Sequence, residues 1–163
     1  MMSNHWYTIR AAARGAADVS IYDEIGDFGV RAADFRRDLT AIGDVSLINL
    51  RIHSPGGDVF DGMAIYNLLA QHPARVNVTI DGLAASMASV IAMAGDTITI
   101  PENAMMMIHR PWGMQGGDAD TMRQYADLLD KVEANLISAY TRKTGLSDDE
   151  VRGLLAAETW LTG

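Results

Sequence analysis

"SLINLRIHSPGGDVFDGMAIYNLLAQHPARVNVTI" (residues 46–80) reads as a strand, a break, a helix and a second strand. "SLINLRI" is a near-continuous apolar run, the pattern of a strand buried inside a parallel sheet. "HSPGG" interrupts it with strong turn chemistry. "DVFDGMAIYNLLAQH" then sets Val59, Met63, Tyr66 and Leu69 on one helical face, and Pro73 closes the helix. "RVNVTI" is the next buried strand. Two strands joined by a helix make a βαβ unit, so the expected fold is α/β with a mainly parallel sheet.

Outward from this unit the alternation continues, without internal repeats. Upstream, "HWYTIR" and "DVSIYDEI" are rich in aromatic and β-branched residues and read as strands. "GVRAADFRRDLTAIG" puts Val30, Phe35, Leu39 and Ile42 on one helical face and stops at Gly43. Downstream, "DGLAASMASVIAMAG" (81–95) reads as a tight turn, "DGL", followed by a buried helix. "DTITI" and "AMMMIH" are short strands around "PEN", and the Gly-rich loop "RPWGMQGGD" follows. A long helix runs from Asp118 to about Lys143, with Met122, Tyr125, Leu128, Leu129, Val132 and Leu136 at helical spacing. "GLSDDEVRGLLAAE" is a second helix, opened by a capping box of Ser147 and Glu150.

A chain of 163 residues is long enough for one domain with a real core and too short for two comfortable ones. Its net charge of -8 argues against nucleic-acid binding, which needs a concentrated basic surface. With no cysteine, disulfides, thiol catalysis and cysteine-held metals are excluded. No His/Asp/Glu spacing matches a metal motif such as H-E-x-x-H, so no metal or cofactor is expected. "MMSNHWYTIR" has no signal-peptide pattern, and the apolar run Gly82–Gly95 is shorter than the roughly 20 residues a bilayer requires. The expectation is a soluble protein without a membrane partner.

Ser86 follows a strand and lies among the first residues of a helix, where free amides and the helix dipole favour a developing oxyanion. The residues alone leave two readings open: a nucleophile, or a serine whose hydroxyl bonds back to its own tightly packed helix. Ser89, one turn later, reads as packing. The Gly56–Gly57 pair presents backbone amides at the C-terminal edge of a parallel sheet, where ligands of open α/β sheets bind, or else forms a plain turn. His109 ends an apolar strand before a Pro-Trp turn and should emerge at the sheet edge, in a catalytic or a structural role. His5, His72 and His53 are weaker histidine candidates. A serine nucleophile needs a base and an acid to orient that base. Asp58, Asp61, Asp81, Asp96, Glu102 and Glu158 are all acid candidates, and spacing does not choose among them.

Taken together and in order, "SPGGDVFDGMAIYN", "DGLAASMAS", "MMIHRP" and "TGLSDDEVRGLLAAETWLT" resemble the Clp protease proteolytic subunit. "IYDEIGDFGVRAADF" and "AETW" resemble its phage branch, the Clp-related head maturation proteases. The similarity runs from about Val19 to the end of the chain. It implies a β-β-α spiral of the Clp and crotonase type, in one domain over 1–163 with a projecting handle over about 110–144. It implies Ser86 as nucleophile, His109 as general base and Glu158 as the orienting acid, with Gly57 and Met87 giving the oxyanion-hole amides. Substrate would add as a strand between Gly57, Asp58, Val59 and Phe60 on one side and Trp112, Gly113 and Met114 on the other.

The resemblance also implies a polypeptide substrate, such as a capsid or scaffold protein, and homo-oligomeric rings, either a heptamer or a double ring. Any ATP dependence would come from a partner unfoldase, and the setting would be the host cytoplasm. Three positions depart from the family. Glu158 stands where Clp subunits carry aspartate, Ala157 where they carry arginine, and His53 where asparagine is common. The family continues with a short segment beyond the position of Gly163. Two other readings stay open: a catalytically silent assembly module on the same fold, and a crotonase-type acyl-thioester enzyme. The Ser86 and His109 pair counts against the second.

Overall fold

The computed structural model describes residues 7–12 and 15–163; His5 and Trp6 of the expected first strand lie outside them. The element order is β1 (Tyr7–Ala11), β2 (Ala16–Ile21), α1 (Ala32–Ala41), β3 (Leu47–Ser54), α2 (Val59–Ala70), β4 (Arg75–Ala85) and α3 (Met87–Ala92). Then come β5 (Thr97–Thr99), β6 (Met105–Ile108), α4 (Ala119–Thr144), α5 (Asp148–Ala156) and β7 (Thr159–Thr162). The chain divides into two compact units. One holds the described residues to Met107 together with Trp160–Gly163, the other Ile108–Thr159.

The first unit is built on a seven-stranded sheet of order β1-β2-β3-β4-β6-β7, with β5 beside β4. β1 pairs antiparallel to β2, whereas the β2–β3, β3–β4, β4–β5 and β4–β6 pairings are parallel. Successive side chains of a strand point to opposite faces. One face therefore gathers Val19 and Ile21, Ile48, Leu50 and Ile52, and Val76, Val78 and Ile80, all buried. Phe35 and Leu39 of α1, Ile65, Tyr66 and Leu69 of α2 and all of α3 are buried as well. Each such aliphatic side chain contributes about 1.5–3 kcal/mol by leaving water.

Three expectations are corrected here. β3 is buried on one face only: Asn49 is half-buried, and Arg51 and His53 are exposed. Polar neighbours satisfy that other face, with Asn49 Nδ2 donating to Asp18 at 2.9 Å. "DGL" is not a turn, because β4 runs on through it to Ala85 and leaves α3 only six residues. In α2 the buried stripe is Gly62, Ile65, Tyr66 and Leu69, with Val59 and Met63 only half-buried. Gly62 is packed directly on Met87, since a Cβ there would stand 2.6 Å from Met87 Cε.

The second unit consists mainly of α4 and α5. α4 opens on Asp118, whose carboxylate accepts from Thr121 N–H at 2.9 Å. It closes on Gly145 in the left-handed region (φ +76°), a conformation that favours glycine. Only its second half is buried, at Val132, Leu136, Ile137, Ala139 and Tyr140. Met122 and Leu128 in the first half are exposed. The capping box of α5 forms as read, Ser147 Oγ accepting from Glu150 N–H and Glu150 accepting from Ser147 N–H.

Candidate active site

Ser86 stands at the joint between β4 and α3, half-buried, with φ +52° and ψ −125°. A side chain rarely adopts that region, and holding one there costs about 1–3 kcal/mol, so the surroundings must over-determine it. They do so from both sides. Its N–H donates to Met107 O of β6 at 2.9 Å. Its carbonyl accepts from Ser89 N–H at 3.0 Å and from Ser89 Oγ at 2.6 Å. Ser89 is therefore a fully buried structural serine, in agreement with the packing expectation. The Ser86 hydroxyl does not cap α3.

The glycines make room for this elbow. A Cβ on Gly56 would lie 2.6 Å from Ala85 O, 2.7 Å from Ser86 Cβ and 2.9 Å from Met87 N. Gly56 therefore lies flat against the start of α3, at φ +92°. Gly57 forms a parallel bridge with Ile25: Ile25 N–H donates to Gly56 O at 2.7 Å and Asp58 N–H to Ile25 O at 2.8 Å. In parallel pairing those two bonds flank the bridged residue, so Gly57's own N–H and C=O point away from Ile25. Met87 N–H belongs to the first turn of α3, where helix donors lack intrahelical partners. Ser54, which is buried, ties the loop down: its Oγ donates to Asp23 O at 2.6 Å and accepts from Gly56 N–H at 3.2 Å. The sequence marked the Gly56–Gly57 pair and Met87 but missed Gly62 and Ser54, for which no local pattern gave a signal.

Of the stretch Gly57–Phe60 expected to pair with substrate, Asp58 is the N-cap of α2 and Val59 and Phe60 already form its first turn. Phe60 is strongly exposed. The alanines Ala84, Ala85 and Ala88 are buried, so their smallness serves close packing of the protein itself.

Most acid candidates of the first unit have structural partners. Asp58 accepts from Asp61 N–H, Asp61 from Ala32 N–H, and Asp96 from Val76 N–H, at 2.7–2.9 Å. Asp81 is engaged by Arg51 and Tyr22. Glu102 is exposed.

In the second unit, His109 is half-buried and directly follows β6. The next residue, Arg110, pairs with Glu133 of α4 at 3.4 Å, and Arg152 of α5 reaches the same carboxylate at 3.6 Å. Trp112, Gly113 and Met114 lie in the irregular stretch before α4, Trp112 and Met114 largely exposed. Glu158 sits in the turn between α5 and β7 at φ +49°, exposed, its N–H on Leu155 O at 3.3 Å. Thus the structure gathers Gly56, Gly57, Ser86 and Met87 in the first unit, while His109, Trp112–Met114 and Glu158 belong to the second.

Among the described residues no group of three or more His, Cys, Asp or Glu side chains is arranged to hold a metal ion. Among them, too, no helix is long and apolar enough to cross a membrane. A strained serine at a strand-to-helix joint beside outward-pointing amides is the arrangement that acyl-transfer chemistry uses. The family model described as Clp protease matches residues 2–163. The chain therefore belongs to the Clp protease family, serine peptidases that take polypeptide substrates and assemble as oligomeric rings.

Proposed function

We propose that this chain is a serine endopeptidase in which Ser86, His109 and Glu158 form the triad. The observation that carries the assignment is backbone strain. Among the described non-glycine residues only Ser86 and Glu158 have positive φ, and strain of this kind concentrates at functional sites. The structural employment of Asp58, Asp61, Asp81 and Asp96 also leaves fewer rivals for the acid.

In this mechanism Ser86 Oγ attacks the peptide carbonyl carbon while His109 takes its proton. The N–H groups of Gly57 and Met87 hold the oxyanion. The intermediate collapses, the C–N bond breaks, and His109 returns the proton to the leaving amine. Water, deprotonated by His109, then hydrolyses the acyl ester and frees Ser86. Glu158 accepts a hydrogen bond from the other ring nitrogen and keeps the imidazole in the productive tautomer. The substrate backbone pairs with the Gly57 edge and with Trp112–Met114 as an added strand.

The biological role we assign is processing of capsid or scaffold protein during phage head maturation, within the host cytoplasm. "IYDEIGDFGVRAADF" and "AETW" support it. An oligomer of ring type suits α4, whose exposed Met122 and Leu128 would gain burial from a second copy.

Treatment with a fluorophosphonate probe, followed by mass spectrometry, tests the chemistry. Label is expected on Ser86, absent from Ser86→Ala and strongly reduced in His109→Ala. A folded protein that takes no label at Ser86 would overturn the assignment in favour of a silent assembly module.

A further inference from the structure

The pairing of β3 with β4 changes step just before the serine. From Leu47↔Arg75 to Ile52↔Ile80 the partners differ by 28 positions, and at Ser54↔Ala84 they differ by 30. Between those pairs β3 supplies one residue, His53, and β4 supplies three, Asp81, Gly82 and Leu83. The strand absorbs two extra residues there, a bulge of the kind that re-aims a chain. The new step carries Ser86 to a position opposite Gly56, so close that a Cβ on Gly56 would stand 2.7 Å from Ser86 Cβ. With uninterrupted pairing Gly56 would face Ala84 instead. A strand advances about 3.3 Å per residue, so the bulge draws Ser86 back by roughly 7 Å.

What holds the bulge lies on the sheet face away from the apolar core. Asp81, its first residue, accepts two bonds from Arg51 of β3: Nε to Oδ2 at 2.8 Å, and a second guanidinium nitrogen to Oδ1. Such a two-pronged pair fixes geometry as well as charge. Tyr22, which follows β2, donates its hydroxyl to the same Asp81 Oδ2. That bond, with partial burial, raises the Tyr22 hydroxyl above its ordinary pKa. His53 meets the Tyr22 ring edge-on, centroids 5.8 Å apart. It also lies over Gly82, where a Cβ would stand 2.8 Å from His53 Nδ1. Three side chains, Arg51 and His53 of β3 and Tyr22 after β2, thus close on Asp81 and Gly82 of the bulge.

We infer that Tyr22, Arg51, His53 and Asp81 are positioning residues that lock the Asp81–Leu83 bulge and so set Ser86 against Gly56. The inference rests on Ser86 being the nucleophile. Two measurements on purified full-length protein test it: the rate constant of fluorophosphonate labelling at Ser86, and kcat and KM for a peptide substrate. Asp81→Asn and Gly82→Ala should each slow labelling and lower kcat by about 10- to 100-fold, the cost of a nucleophile displaced by about 1 Å. KM should change by no more than about twofold, since uniform binding is untouched.

Arg51→Gln combined with Asp81→Asn should label no more slowly than either single variant, because the two act as one unit. Tyr22→Phe removes one hydrogen bond and keeps the ring contact, so it should stay folded by circular dichroism and still label several-fold more slowly. If Asp81→Asn does not fold, Tyr22→Phe decides. Wild-type labelling with unchanged rates in the folded variants would overturn the positioning role and leave the peptidase assignment standing. Absence of label on the folded wild type would overturn that assignment itself.

Discussion

Gly56 and Ser86, just past the ends of β3 and β4, face each other so closely that a Cβ on Gly56 would stand 2.7 Å from that of Ser86. The same added atom would meet Ala85 O and Met87 N at 2.6 and 2.9 Å, and these are backbone atoms that cannot rotate aside. Gly56 also has φ +92°, which an alanine adopts only under strain. Gly56→Ala should therefore cost about 1–3 kcal/mol of stability, read from chemical denaturation. It should also abolish labelling of Ser86. A variant with wild-type labelling would show that the tight joint is not needed for reactivity.

Glu158→Gln keeps shape but cannot orient a protonated imidazole in the same way. Turnover should fall at least about 100-fold while KM changes little, as for an acid that acts through the base. Equal activity would show that another group orients His109. Glu158→Gly relaxes the φ of +49° and so separates strain from charge. It should be at least as stable as wild type in thermal unfolding and as inactive as the glutamine variant.

Ser147→Ala removes the cap of α5 and the hydroxyl's bond to the Glu150 carboxylate, leaving the backbone N–H bond to it. At neutral pH the Tm should drop by roughly 2–4 °C. Hydrogen bonds from the Ser147 side chain and backbone hold the Glu150 carboxyl below its ordinary pKa. A depressed acid pKa contributes stability above the unfolded value and loses it as pH falls through the folded value. The gap between wild type and Ser147→Ala should thus be full at neutral pH and shrink in acid below the ordinary glutamate range. A gap that widens in acid would contradict this sign.

Leu128→Glu places a charge on the exposed apolar face of α4. If that face docks on another copy, light scattering should show a smaller particle than wild type at equal concentration. Met122→Glu, six residues earlier on the same exposed half, should act in the same direction. An unchanged mass for both variants would remove α4 from the assembly interface.

Much of this molecule was legible locally. Period-two and period-3.6 patterns marked the strands and helices, since each depends on neighbours a few residues away. Asp118 and the Ser147–Glu150 box marked where α4 and α5 open for the same reason. "SLINLRI" misled because Asn49 and Arg51 stand among apolar neighbours, and only the paired strands reveal one polar face. "DGL" misled because its glycine reads as a turn unless a partner strand holds it extended.

By itself, then, the sequence determined the α/β class, where α4 and α5 open and, through four ordered motifs, the family. It also singled out Ser86, His109 and Glu158 for attention. Tertiary structure alone decided that β4 continues to Ala85, that its register shifts by two residues at His53, and that Ser86 consequently faces Gly56. It alone revealed the positive φ of Ser86 and of Glu158. The physical reason is range. Caps and periodicities act within a turn or two of chain, whereas register and backbone strain are set by partners some thirty residues away.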